Sequence, residues 1–184
     1  MLEENVEDVR STVRFELAEK TKEKGNALFK SNQFESAASH YDKAYKLCKT
    51  ISIISDEHQE KIVKLQLACL TNRAVTLSKL DQHEKVVDVC SDALALDVVN
   101  EKAWFRRGVA RSKMGLLDEA DSDLNEVLRI NPKNSDAKNS LKECAKLRKQ
   151  GKLQPFQGMF SRPSPRRNGI SEGLSRISLE ERNG

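Results

Sequence analysis

Residues 100–108, Asn100-Glu101-Lys102-Ala103-Trp104-Phe105-Arg106-Arg107-Gly108, end on a glycine followed at fixed distances by Ala120, Leu124 and Val127. The same offsets of 12, 16 and 19 residues lead from Gly25 to Ala37, Tyr41 and Ala44, and from Ala74 to Val86, Cys90 and Ala93. Small and large residues alternating at such intervals describe a helical hairpin, in which two helices approach closely where side chains are small. Gly25 and Ala37 permit that approach in the first unit. Phe29, Tyr41, Trp104 and Leu124 are then expected to fill the space between neighbouring hairpins, which makes Trp104 a core residue rather than a ligand platform.

Counted from seven residues before the small position, the units start at 18, 67 and 101, so the last two are 34 residues apart, the tetratricopeptide (TPR) period. The first two are 49 apart, 15 more than one period. The surplus, from Cys48 to about Lys64, is expected to lengthen helix B of the first repeat or helix A of the second. Ser55-Asp56, with Gln59 as a capping-box partner, predicts a helix start there. Pro132 ends the third repeat, because proline lacks the N–H that a helix needs. Beyond it Ser135-Asp136 predicts the start of a further amphipathic helix with Ala137, Leu141, Cys144, Ala145 and Leu147 on its apolar side.

The expected fold is therefore all-α: three TPR helical hairpins, near 18–51, 67–100 and 101–134, and a C-terminal capping helix over 135–150, forming a right-handed α-solenoid. An N-terminal segment, 1–14, precedes this domain of residues 15–150. Residues 151–184 turn to Ser, Pro and Arg, as in Ser161-Arg162-Pro163-Ser164-Pro165-Arg166-Arg167, and are expected to be a disordered basic tail.

Composition agrees with helices and excludes several functions. Of 184 residues 33% are charged and only 5% aromatic, which suits solvated helices better than an aromatic-rich sandwich. A net charge of +4, without exposed aromatics among the basic residues, argues against nucleic acid. No apolar stretch approaches a membrane span and the N-terminus is acidic, so no membrane partner and a cytoplasmic location, with the nucleus as alternative, are expected. Cys48, Cys69, Cys90 and Cys144 form no Cys-x-x-Cys pair, and His40, His58 and His83 share no helical face at ligand spacing. Buried reduced thiols, no metal, no cofactor and a monomer are expected.

Stacked hairpins expose their A helices along a concave groove suited to extended peptides. On the first A helix Lys22 and Asn26 are four apart and share a face; on the third, Lys102 and Arg106 do the same; Asn72 lies on the second. Lysine and arginine supply charge and the asparagines supply directed donors without adding repulsion among the cations, which suits an anionic ligand with two adjacent carboxylates.

The segments Lys22-Glu23-Lys24-Gly25-Asn26, Thr71-Asn72-Arg73-Ala74 and Lys102-Ala103-Trp104-Phe105-Arg106 resemble the carboxylate clamp of chaperone-binding TPR co-chaperones, with all five positions present. The resemblance covers roughly residues 15–150. It is closest to the TPR domain of large immunophilins, of FK506-binding protein and cyclophilin type, through Asn100 to Gly108, the extended first connection and Met159-Phe160. It implies that Lys22, Asn26, Asn72, Lys102 and Arg106 bind the C-terminal Glu-Glu-Val-Asp of heat shock protein 90 or 70, gripping the terminal carboxylate and the last aspartate side chain. It leaves open which chaperone is preferred and which client protein is carried.

Competing readings belong to other classes. Large immunophilins carry a peptidyl-prolyl isomerase domain before their TPR region, so the chain could be part of, or a degenerate relative of, such an isomerase. Only about seventeen residues precede the first repeat and no nucleophile, base or phosphate loop appears, so a non-catalytic chain is expected. The basic stretch from Lys138 to Lys152 could bind calmodulin or anionic lipid, although a solenoid cap needs one apolar and one charged face in any case. Arg166-Arg167 and Ser164-Pro165 could serve docking or phosphorylation.

Overall fold

Each of the three hairpin turns is closed by the same device, at positions with the repeat spacing. Asn32, Asp81 and Gly115 adopt positive φ of 59°, 53° and 80°. The N–H of the next residue then reaches back to a carbonyl five residues earlier: Gln33 to Leu28, Gln82 to Leu77 and Leu116 to Arg111, at 2.9 to 3.0 Å. These are Schellman closures, and glycine, asparagine and aspartate are the residues that tolerate the left-handed conformation they require.

The computed structural model describes residues 2–53 and 55–151. These form seven α-helices and no strand: α1 (Leu2–Lys30), α2 (Phe34–Cys48), α3 (Asp56–Lys79), α4 (His83–Leu96), α5 (Glu101–Lys113), α6 (Leu117–Ile130) and α7 (Ser135–Lys149). The pairs α1/α2, α3/α4 and α5/α6 are the three hairpins, and α7 packs on α6 as the cap. Except for Gly151, the tail expected to be disordered lies outside the described residues, as do Met159-Phe160 and Lys152.

The surplus of the first spacing lies in helix A of the second hairpin, not in helix B of the first. Helix α3 has 24 residues against 13 in α5, whereas α2 has 15, close to the 14 of α4 and of α6. Helix α1 is lengthened as well, running unbroken through residues 2–14. The extensions support each other: Ser52 donates to Glu7 at 2.8 Å, Arg14 donates to the Thr50 carbonyl at 3.0 Å, and Phe15 meets the His58 ring at a centroid distance of 6.0 Å.

Two helix starts differ in detail from the sequence reading. Ser55 does cap α3, accepting from the His58 N–H at 3.1 Å. The third helical position is thus His58, and the Gln59 side chain does not close a capping box; its buried Oε1 has no described partner. Helix α7 is capped by Asn134, which accepts from the Ala137 N–H at 2.9 Å, rather than by Ser135. On α7 Ala137 and Cys144 are buried and Leu141 and Leu147 half-buried, but Ala145 faces solvent.

Three apolar clusters form a continuous core along the stack. The first holds Ala18, Ala44, Ile62 and Leu65; the second Leu70, Leu77, Val86 and Leu94; the third Leu117, Leu124 and Val127. Tyr45 joins the first to the second and Trp104 the second to the third. Fully burying each such leucine or valine contributes about 1.5 to 3 kcal/mol. Of the large residues expected between hairpins, Trp104 joins two of the clusters. Tyr41 and Leu124 instead lie against the glycine of their own hairpin, where a Cβ at Gly25 would come within 2.8 Å of the Tyr41 ring and one at Gly108 within 3.0 Å of Leu124. Phe29 packs on Phe34 across the turn, at a centroid distance of 5.4 Å.

All four cysteines are buried free thiols. Burial raises the pKa of Cys48 to about 11 and those of Cys69 and Cys90 to about 12, so each stays protonated at neutral pH. Among the described residues no helix is long and apolar enough to cross a membrane, and no three His, Cys, Asp or Glu side chains are grouped to hold a metal ion.

Candidate functional site

Helix α3 lies between α1 and α5 and touches both, so the three A helices run side by side. The five residues singled out in the sequence lie on these helices, two on α1, one on α3 and two on α5.

Asn26 and Asn72 meet directly. The Asn72 amide donates to Asn26 Oδ1 at 3.1 Å, and the Tyr41 hydroxyl donates to the same oxygen at 2.8 Å. With both its lone pairs engaged, the Asn26 carbonyl turns inward and its NH₂ is left to donate elsewhere. The two amides border an open pocket of about 220 Å³, lined also by Phe29, Lys30, Tyr41 and Val75. Its lining thus combines apolar and aromatic side chains with amide and ammonium groups.

Lys22, Lys102 and Arg106 are not part of that pocket lining. Lys22 is half-buried one turn before Asn26, and its charge acts on Cys48 and Cys69, opposing part of the rise in their pKa. Lys102 is exposed. Arg106 is half-buried, and its Nη1 donates at 3.4 Å to the Lys102 carbonyl. Burial lowers the pKa of Arg106, a shift opposed by the neighbouring Cys90. No acidic side chain among the described residues pairs with Lys22, Lys102 or Arg106.

The next arginine on α5 is held quite differently. Arg107 forms two bonds to Asp123, at 2.9 and 3.0 Å, donates to Ser91 on α4 at 2.9 Å, and stacks 4.7 Å from the Trp104 ring. Arg111 donates to the same Asp123 at 2.7 Å. This buried cluster fixes α5 against α4 and α6. On α3 the residue beside Asn72 plays a similar part: Arg73 donates to Asp42 of α2 at 2.6 Å. The sequence reading missed both networks and the Tyr41 hydroxyl; an arginine immediately before the small position in two repeats was the available signal.

The tetratricopeptide-repeat family model matches residues 101–134, the region of α5 and α6. The described helices are a tetratricopeptide-repeat domain. This TPR domain is homologous to the TPR region of peptidyl-prolyl cis-trans isomerase FKBP4: the Bos taurus protein is 34% identical over 160 residues, 84% of this chain and 34% of the relative. The chain thus spans about a third of the length of the curated relatives it matches. The C-terminal TPR-containing domain of a Plasmodium falciparum FK506-binding protein superposes with a TM-score of 0.70 at 29% identity, covering 77% of this chain and 95% of that one. The first TPR domain of Spaghetti (RPAP3), solved bound to the HSP90 peptide SRMEEVD, gives a TM-score of 0.59 at 29% identity, covering 72% and 93%.

Proposed function

We propose that this TPR domain is a co-chaperone or adaptor module that binds the C-terminal Glu-Glu-Val-Asp of heat shock protein 90 or 70 through Lys22, Asn26, Asn72, Lys102 and Arg106. The observation that carries the reading is Arg106. Its half-buried guanidinium has no described carboxylate, while Arg107 and Arg111 beside it share Asp123. A cation removed from water without a counter-charge is costly, and an incoming carboxylate would offset that cost. The inward-turned Asn26 carbonyl supports the same reading, since it leaves amide donors for an anion. The apolar part of the pocket lining, Phe29, Tyr41 and Val75, suits the valine that precedes the terminal aspartate.

Each charge-assisted hydrogen bond contributes roughly 1.5 to 3 kcal/mol. Three or four of them, less the cost of ordering a flexible peptide, give a dissociation constant on the order of micromolar. Such a partner would be met in the cytoplasm or nucleus, where the module would act as a monomeric, non-catalytic adaptor that presents a client.

Calorimetric titration with peptides ending in Glu-Glu-Val-Asp tests the proposal, with the heat shock protein 70 and 90 sequences as separate arms. Lys102→Ala should weaken binding about 10- to 100-fold with helicity unchanged. Amidating the peptide C-terminus should weaken it to a similar degree, and added salt should reduce it. Equal affinity for the free acid and the amide would remove the clamp.

A further inference from the structure

We infer that Tyr41 is a positioning residue of the anion site: through its hydroxyl it sets the direction of the Asn26 amide, and so makes Asn26 a donor rather than an acceptor toward the ligand. The inference rests on the clamp reading above and goes beyond it, because Tyr41 sits on helix B of the first hairpin, behind the groove-facing A helices.

The geometry comes directly from the repeat signature. Gly25 has no side chain, so the Tyr41 ring can lie on the α1 backbone where a Cβ would be only 2.8 Å from the ring. That contact aims the hydroxyl at the next residue of α1, and it reaches Asn26 Oδ1 at 2.8 Å. The ring is buried, with 2% of its surface exposed, and Asn26 Oδ1 is the only described acceptor for its hydroxyl proton.

Two amides alone do not determine their direction. An Asn26–Asn72 pair can hydrogen-bond with either residue as the donor, and the two arrangements present opposite ends of Asn26 to the groove. One shows an anion two N–H donors; the other shows it a carbonyl oxygen, which repels it. The Tyr41 hydroxyl breaks the tie. If Asn26 turned its NH₂ inward, the buried hydroxyl would lose its acceptor, at the cost of an unsatisfied polar group. Asn72, in turn, donates to the oxygen that Tyr41 has fixed, at 3.1 Å. The direction set by one phenol thus extends to both amides of the site.

The other two repeats carry no equivalent group. The residues at the Tyr41 offset are Cys90 and Leu124, neither with a hydroxyl, and the residues at the Asn26 position, directly after the small one, are Val75 and Val109, neither with a polar side chain to orient. The device is specific to the first hairpin.

A double-mutant cycle on peptide affinity separates positioning from packing. Tyr41→Phe keeps the ring on Gly25 and removes only the hydroxyl. It should weaken binding of a Glu-Glu-Val-Asp free-acid peptide about three- to tenfold and reduce discrimination between that peptide and its C-terminal amide. In an Asn26→Ala background the same substitution should have little further effect, since the group through which Tyr41 acts is gone. Additive losses, or a Tyr41→Phe variant with unchanged affinity and unchanged discrimination, would overturn the inference and leave the clamp standing. Failure of the unsubstituted protein to bind the peptide would overturn both. A second readout uses the unsubstituted protein alone: the Asn26 side-chain NH₂ resonances should shift on adding the free-acid peptide and respond far less to the amide. Equal response to both peptides would also overturn it.

Discussion

In the first hairpin Gly25 lies under Tyr41, and in the third Gly108 lies under Leu124, at the same offset and for the same steric reason. The polar consequences diverge. Tyr41 ends in a hydroxyl that crosses to Asn26, so the first hairpin orients its groove residue with a hydrogen bond from its own core. Leu124 has no polar end, and the third hairpin is organised by the neighbouring Asp123, which is buried and binds Arg107 and Arg111. That cluster engages two of the three arginines of α5, and among the described residues Arg106 has no carboxylate partner. In the proposed clamp, one hairpin would thus prepare a donor by turning an amide, and the other a cation by pairing its neighbours.

Removing Asp123 should give the largest effect and breaks the comparison at its third-hairpin end. The Asp123 side chain is 2% exposed, against 13% and 22% for Arg107 and Arg111, so Asp123→Ala leaves two mostly buried cations without their acceptor. A loss of roughly 3 to 5 kcal/mol in denaturant unfolding is expected. The glycines come next and sharpen the contrast directly. Alanine in a helix interior is favoured over glycine by about 1 kcal/mol, and overpacking a buried contact costs about 1 to 3 kcal/mol. At Gly25 the new Cβ meets a rigid ring at 2.8 Å, so Gly25→Ala should destabilise the fold and also weaken peptide binding by displacing the Tyr41 hydroxyl. At Gly108 the nearest atoms are Leu124 Cγ at 3.0 Å and Asp123 Cβ at 3.2 Å, tight but longer than the nearest contact at Gly25, so Gly108→Ala should destabilise less in thermal unfolding. Equal losses at the two glycines would show that Tyr41 is no more constrained than Leu124.

Much of this architecture could be read from sequence because helix pairing fixes distances along the chain. The offset of 16 residues from Gly25 to Tyr41 and from Gly108 to Leu124 is the distance around one hairpin, and it shows wherever glycine meets a large residue. The 49-residue spacing revealed extra length but not its location, because Cys48 to Lys64 fits an extended α2 as well as an extended α3. The three turn residues, Asn32, Asp81 and Gly115, also kept the repeat spacing, but they share a backbone conformation rather than a residue type. Residue type and helix face nominate Lys22, Asn26, Asn72, Lys102 and Arg106, of which the structure joins Asn26 and Asn72 directly. Their hydrogen-bond direction was hidden, because which end of an amide faces outward depends on partners from other helices. Arg73 and Arg107 illustrate the same limit: each precedes a small position, yet one pairs with the preceding hairpin and the other within its own.

That last difference gives the smallest expected effect. The residue before Leu124 is Asp123, but its counterpart before Cys90 is Val89, so Arg73 has no acid at the equivalent position of its own hairpin and reaches back to Asp42 of α2. The Arg73–Asp42 pair is about a quarter exposed on both sides, and Lys46 shares Asp42 at 2.8 Å. Water therefore screens what the buried Asp123 cluster keeps, and Asp42→Ala should cost only about 1 kcal/mol. Because Arg73 is adjacent to Asn72, the same variant probes whether the α2–α3 joint sets the position of that amide. Orientation through Tyr41 and Asn26 predicts that peptide affinity changes less than twofold in Asp42→Ala, even as the thermal midpoint falls. A loss of affinity as large as that of Tyr41→Phe would shift control of the amides from the first hairpin's hydroxyl to the salt bridge behind the second.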